Sequence, residues 1–214
     1  VKRILLLIAL LIPVQAFAWT EGFNFRDTTA YCTDPTDTQG AYSPDNNGGT
    51  SNDTIYATTA GGVTFGFSST PDVDNRRDRD SGVDCRLAAN NGHTNGDATP
   101  LRFRVDLPST GTYRIRLAIG NTSGTSDDPV VKILDNVTVK NTISFSGTMS
   151  SGHFLDAGGN DRTSAADWVS NNASIDVTFA STTFWLEIGG TSSTGYTNIA
   201  HLNIEDIPAP TPTP

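Results

Sequence analysis

The sequence predicts an all-β protein, an antiparallel jelly-roll sandwich of about nine strands with one short helix. Three observations carry this. Apolar residues alternate with polar ones in period 2, and long stretches of helical period are missing. Clusters of Gly, Asn and Asp separate the alternating runs. The chain also holds thirty Thr, which suit solvent-facing strand positions, and its twenty Asp against three Glu favour turns over helix surfaces.

The clearest strand is 111–119, where Tyr113, Ile115, Leu117 and Ile119 share one face and Arg114, Arg116 and Ala118 the other. Residues 101–107 alternate in the same way, and Pro108-Ser109-Thr110-Gly111 makes a turn between the two, so they are expected to pair as a hairpin. Further strands are expected at 23–26, 63–68, 130–134, 137–143, 175–179, 183–188 and 199–207. Asp135-Asn136 supplies a tight turn for a second hairpin. Only 163–170 reads as helix, opened by Thr163 or Ser164.

At 214 residues the chain is long enough for one generous domain. Its hydrophobic content of 36% is lean, yet Phe, Val, Ile and Leu recur regularly enough to bury a core. Residues 1–18 read as a secretory signal peptide. Lys2 and Arg3 form a positive start, 4–14 an apolar stretch too short to span a bilayer, and Ala16-Phe17-Ala18 a cleavage site before Trp19. Secretion, to the periplasm, cell surface or medium, is therefore expected. In such an oxidising compartment Cys32 and Cys85 are expected to form a disulfide, two free buried thiols being the alternative. Residues 208–214 are a Pro/Thr tract of the linker kind, leading to a further module or ending as a tail. The net charge of −9 argues against nucleic acid and anionic membrane surfaces as partners, and no membrane span is expected.

The run from Phe103 to Gly120 resembles the central hairpin of galactose-binding-like β-sandwich modules, carbohydrate-binding modules that commonly accompany secreted polysaccharide-acting enzymes and bind glycans. The final strand Ile199-Ala200-His201-Leu202-Asn203-Ile204-Glu205 is similar, as are Phe23-Asn24-Phe25 and Gly62-Val63-Thr64-Phe65-Gly66-Phe67. The resemblance covers most of 20–207 through residues that carry the fold. It implies a sandwich domain over 19–207 and a polysaccharide or glycan as partner.

Candidate contacts fall in three groups. The charged stretch from Asp72 to Asp80, continued by Asp84 and Arg86, either ties down a loop through Arg–Asp pairs or offers Arg76 and Arg79 to sugar hydroxyls. Aromatic rings stack on the C–H faces of sugars. Trp168 and Tyr196 are the candidates for that role, Tyr42 and Tyr56 flank a loop, and Trp168 has the alternative of stapling its helix to the sheet. Within Phe184-Trp185-Leu186-Glu187-Ile188 either Trp185 or its neighbours face inward, and core packing is favoured over a platform role for this strand. His201, alternating with Ala200 and Leu202, is expected to face solvent or the loop end.

A structural calcium is left open, because Asp127-Asp128 or Asp156 with Asp161 offer carboxylates, although Arg77 and Val83 break the EF-hand pattern that Asp72-x-Asp74 begins. His93, His153 and His201 lie far apart, and neither a nucleophile elbow nor a phosphate loop occurs, so no enzyme is expected. The sequence thus points to a secreted, non-catalytic carbohydrate-binding module, with a structural or adhesive surface module as the alternative.

Overall fold

The computed structural model describes residues 19–25, 56–60, 62–68, 77–78, 84, 86–87, 89–96, 99–189 and 195–208. The expected signal peptide, Cys32, Cys85, Arg76, Arg79, Tyr42 and all but the first residue of the Pro/Thr tract lie outside them.

The chain forms an antiparallel all-β sandwich, with one helix among the described residues. Its strands are β1 (Thr20–Asn24), β2 (Thr58–Ala60), β3 (Val63–Phe67), β4 (Arg77–Asp78), β5 (Ala89–Thr94), β6 (Leu101–Asp106), β7 (Gly111–Gly120) and β8 (Ser126–Asp127). They continue with β9 (Val130–Asp135), β10 (Thr138–Ser144), β11 (Thr148–Met149), β12 (Phe154–Leu155) and β13 (Asp161–Arg162). Helix α1 (Ala165–Asn171) is followed by β14 (Ile175–Phe179), β15 (Thr183–Ile188) and β16 (Tyr196–Ile207). The first sheet runs β13-β12-β7-β16-β5-β4, with β1 also on β16 and β14 also on β7. The second runs β10-β9-β15-β6-β3-β2, and β8 pairs β11 apart from both.

Alternation fills the space between the sheets. Phe23 and Phe25 from the first sheet meet Phe65, Phe67 and Phe103 from the second, with ring centres 5.1–6.2 Å apart. Tyr113, Ile115, Leu117 and Ile119 of β7 face Val105, Phe184, Leu186 and Ile188 within the same core. Each such side chain contributes roughly 1.5–3 kcal/mol by leaving water.

The hairpin expected between 101–107 and 111–119 does not form: β6 belongs to the second sheet and β7 to the first. The turn is an arch that carries the chain over the core, and Tyr113 Oη donates to Ser109 O at 2.8 Å to hold it. Each strand buries a full apolar face, so facing each other across the core satisfies both better than pairing edge to edge. The second expected hairpin, β9–β10, does form, with Asn136 in the left-handed region at φ 54°. The opening strand starts earlier than expected, because Thr20 and Glu21 already pair with Glu205 and Ile204.

Helix α1 begins at Ser164, whose Oγ accepts from Asp167 N at 3.1 Å, while Asp167 Oδ2 accepts from Thr163 N at 3.0 Å. It lies against the outer side of the first sheet. There Trp168 joins Leu87, Ala118, Phe154 and Ala200 in a small second core. The outer side of the second sheet carries no helix among the described residues. No helix among them is long and apolar enough to cross a membrane.

Candidate functional site

The outer face of the second sheet gathers the chemistry. In β15, Phe184, Leu186 and Ile188 are buried, so period 2 turns Trp185 and Glu187 outward. The expectation that Trp185 packs in the core is corrected by this register: its neighbours fill the core and leave its ring half-exposed on the sheet.

Register lines up two rows across the face. In one, Val139 of β10, Leu134 of β9, Trp185 of β15, Arg104 of β6 and Gly66 of β3 stand side by side. Four strand spacings make this row about 19 Å long. The Arg104 guanidinium lies 5.6 Å from the Trp185 ring centre and 4.1 Å from that of Tyr56. Tyr56 reaches this position because its N–H bonds Phe67 O at 2.8 Å, tying it to the end of β3. Its hydroxyl donates to Asp106 Oδ2 at 2.8 Å, and Arg104 Nε donates to Asp106 Oδ1 at 2.8 Å. Burial and then this bond to Asp106 raise the Tyr56 pKa, so the hydroxyl stays protonated at neutral pH.

The second row holds Thr142, Lys132, Glu187 and Arg102. Glu187 Oε2 accepts from Arg102 Nε at 3.0 Å and Nη2 at 2.6 Å, while Oε1 accepts from Lys132 Nζ at 2.8 Å. Burial alone would push the Glu187 carboxyl up, but the bonds from Lys132 and Arg102 outweigh it and hold the pKa low. The face thus combines two half-exposed rings with fixed donors and acceptors.

The loop-based expectations fare differently. Trp168 is 1% exposed, its indole N–H donates to Leu117 O at 3.0 Å, and its ring has no open face. The stacking role assigned to it is corrected to that of a staple between α1 and β7. Arg86 stands 5.3 Å over that ring and grips Asp84 through Nε and Nη2, both at 2.8 Å. Those bonds hold the Asp84 carboxyl below the usual range, so this end of the charged stretch acts as a loop tie. His201 is buried too, with Nδ1 2.7 Å from Asn24 Oδ1 and its ring edge-on to Trp168. A register shift between Ile199 and His201 brings His201 under the helix rather than into solvent.

Tyr196 is 38% exposed at the start of β16, on the first sheet opposite Thr94. Arg76 and Arg79 lie outside the described residues.

The pairing of Asp156 with Asp161 as a calcium site is also corrected. Asp156 is 0% exposed and accepts from the N–H groups of Gly158, Asn160 and Ala173, from Asn160 Nδ2, and from Arg162. Arg162 already serves as its cation, and Asp161 turns instead to His153 Nδ1 at 3.1 Å. Asp128 Oδ1 accepts from Gly147 N at 2.7 Å. Among the described residues no three His, Cys, Asp or Glu side chains converge as a metal-binding group.

No protein-family model matches the sequence, and no curated protein matches it significantly. Among solved structures the fold is similar to protein YxiM from Bacillus subtilis, with 14% identity and a TM-score of 0.48 over 88% of this chain. The chain spans 40% of that protein's structure. It is also similar to the C-terminal CBM6 of LamC, a marine laminarinase from Zobellia galactanivorans, with 17% identity and a TM-score of 0.28. That alignment covers 61% of this chain and 86% of the CBM6.

Proposed function

We propose that the protein is an exported carbohydrate-binding module that holds a glycan non-covalently across the outer face of the second sheet. The observation that carries this reading is the row of Tyr56, Arg104 and Trp185 beside the row of Arg102, Glu187 and Lys132. A sugar ring needs a flat apolar surface for its C–H face and charged partners for its hydroxyls, which both donate and accept. The first row supplies the surface, and the second supplies cationic donors held in place by the buried Glu187 carboxylate. The row of about 19 Å suits a chain of sugar rings rather than a single small molecule enclosed in a pocket.

Tyr56 and Trp185 act as platforms in this proposal, and Arg104 with Asp106 fixes the Tyr56 ring from beneath. The role is recognition without bond cleavage. A glycan array probed with the purified protein tests it: a saturable signal for one polysaccharide class, competed by the free polymer, is expected. Silence from a sample whose thermal melt is cooperative contradicts the proposal.

A further inference from the structure

We infer that the glycan held by this face is anionic, bearing carboxylate or sulfate groups; the inference rests on the reading of the second sheet as a glycan platform. The chain carries a net charge of −9, yet this face reverses that balance. Among the described residues, Arg102, Arg104 and Lys132 stand there against Asp106 and Glu187.

The outer face of the first sheet behaves differently. Arg114 is matched by Asp176, and Arg116 by Glu205. On the second sheet one carboxylate, Glu187, is shared by two cations. Arg102 spends Nε and Nη2 on Oε2, and Lys132 spends one N–H on Oε1. Their side chains remain 45% and 34% exposed, while Glu187 lies beneath them at 7%. Among the described residues no second carboxylate reaches these half-exposed heads, so two cations share one negative charge. Arg104 is paired with Asp106 and lies against the rings of Tyr56 and Trp185, so the surplus of the face is the one charge left between Arg102 and Lys132.

This arrangement selects as well as attracts. The net negative charge of the molecule repels a polyanion at long range, so binding favours this face, where among the described residues cations outnumber carboxylates. A guanidinium accepts a carboxylate or a sulfate ester in the same forked geometry, and Lys132 adds a point charge about two strand spacings away.

Affinity electrophoresis of the full protein separates the cases, using gels that contain polygalacturonate, its methyl-esterified form, a sulfated galactan or the unsulfated parent. Retardation by a charged polymer is expected to exceed that by its neutral counterpart and to weaken as salt rises. The arm that responds identifies carboxylate or sulfate as the anion. Arg102→Gln and Lys132→Gln are each expected to weaken binding roughly five-fold, the effect of losing one exposed charge contact. Equal retardation by neutral and charged polymers overturns the anionic inference and leaves the glycan platform standing. So does charged-polymer binding that both variants retain in full. Absence of retardation by every polymer, from folded protein, overturns both.

Discussion

Trp185 and Arg104 are cross-strand partners on β15 and β6, with the guanidinium carbon 5.6 Å from the indole ring centre. Tyr56 covers the same guanidinium at 4.1 Å, so one cation joins two aromatic surfaces from separate parts of the chain. Trp185 is held by its strand and Tyr56 is tied to β3 through its N–H on Phe67 O, which limits the conformational freedom they lose when a ligand settles on them.

An aqueous quencher such as iodide is expected to reach Trp185, which is half-exposed and flanked by cations, and not Trp168, which is buried. Trp168→Phe should leave the quenchable fraction of the emission almost intact, whereas Trp185→Phe should reduce it to the share of Trp19, which is also partly exposed. The reverse pattern would place the accessible indole on the helix.

Trp168→Phe should instead lower stability. It deletes the bond from the indole N–H to Leu117 O and shrinks a ring packed on Ala118 and Ala200. The expected loss is about 1–3 kcal/mol by denaturant unfolding, with glycan binding unchanged.

Asp156 is expected to behave as a structural carboxylate tied to Arg162. Asp156→Ala strands the guanidinium and three backbone N–H groups, costing about 3–5 kcal/mol. The loss should be the same with calcium and with chelator. Burial pushes the carboxyl up, but the bonds from Ala173, Asn160 and Arg162 prevail and lower its pKa. Its stabilisation is therefore present above the ordinary aspartate value and lost as pH falls through the depressed one, a loss the variant should not show.

Glu21 works in the opposite sense. It shares the inward side of β1 with Phe23 and Phe25, its Oε2 has no hydrogen-bond partner, and burial raises its pKa from 4.5 to about 7. The folded protein holds this proton more tightly than the unfolded chain, so stability falls as pH rises from 4.5 through about 7. Glu21→Gln should flatten that slope and gain roughly 1–3 kcal/mol above neutrality, as read from unfolding curves across pH.

Much of this fold was legible because burial imposes period 2. The strands of Phe103, Ile115, Ile133 and Leu186 announce themselves, and Ser164 with Asp167 marks the helix start. Strand β5, with the sequence Ala-Asn-Asn-Gly-His-Thr, has no such pattern and exists because β16 pairs with it. The arch between β6 and β7 carries the same turn residues as a hairpin, and only the facing sheets distinguish the two. The outward turn of Trp185 is legible for the same reason: the alternation of Phe184, Leu186 and Ile188 sets it on the outer face, although loop position favours Tyr196 as a platform. The approach of Tyr56 to Arg104 joins residues far apart in sequence and had no local signal.

The most direct test of the platform is affinity electrophoresis of the wild type, Trp185→Ala and Tyr196→Ala side by side through a panel of polysaccharide gels. The account predicts that one polymer retards the wild type, that Trp185→Ala loses at least about tenfold in affinity while melting normally, and that Tyr196→Ala binds as before. Retardation that survives Trp185→Ala and disappears in Tyr196→Ala would contradict it and move the site to the start of β16.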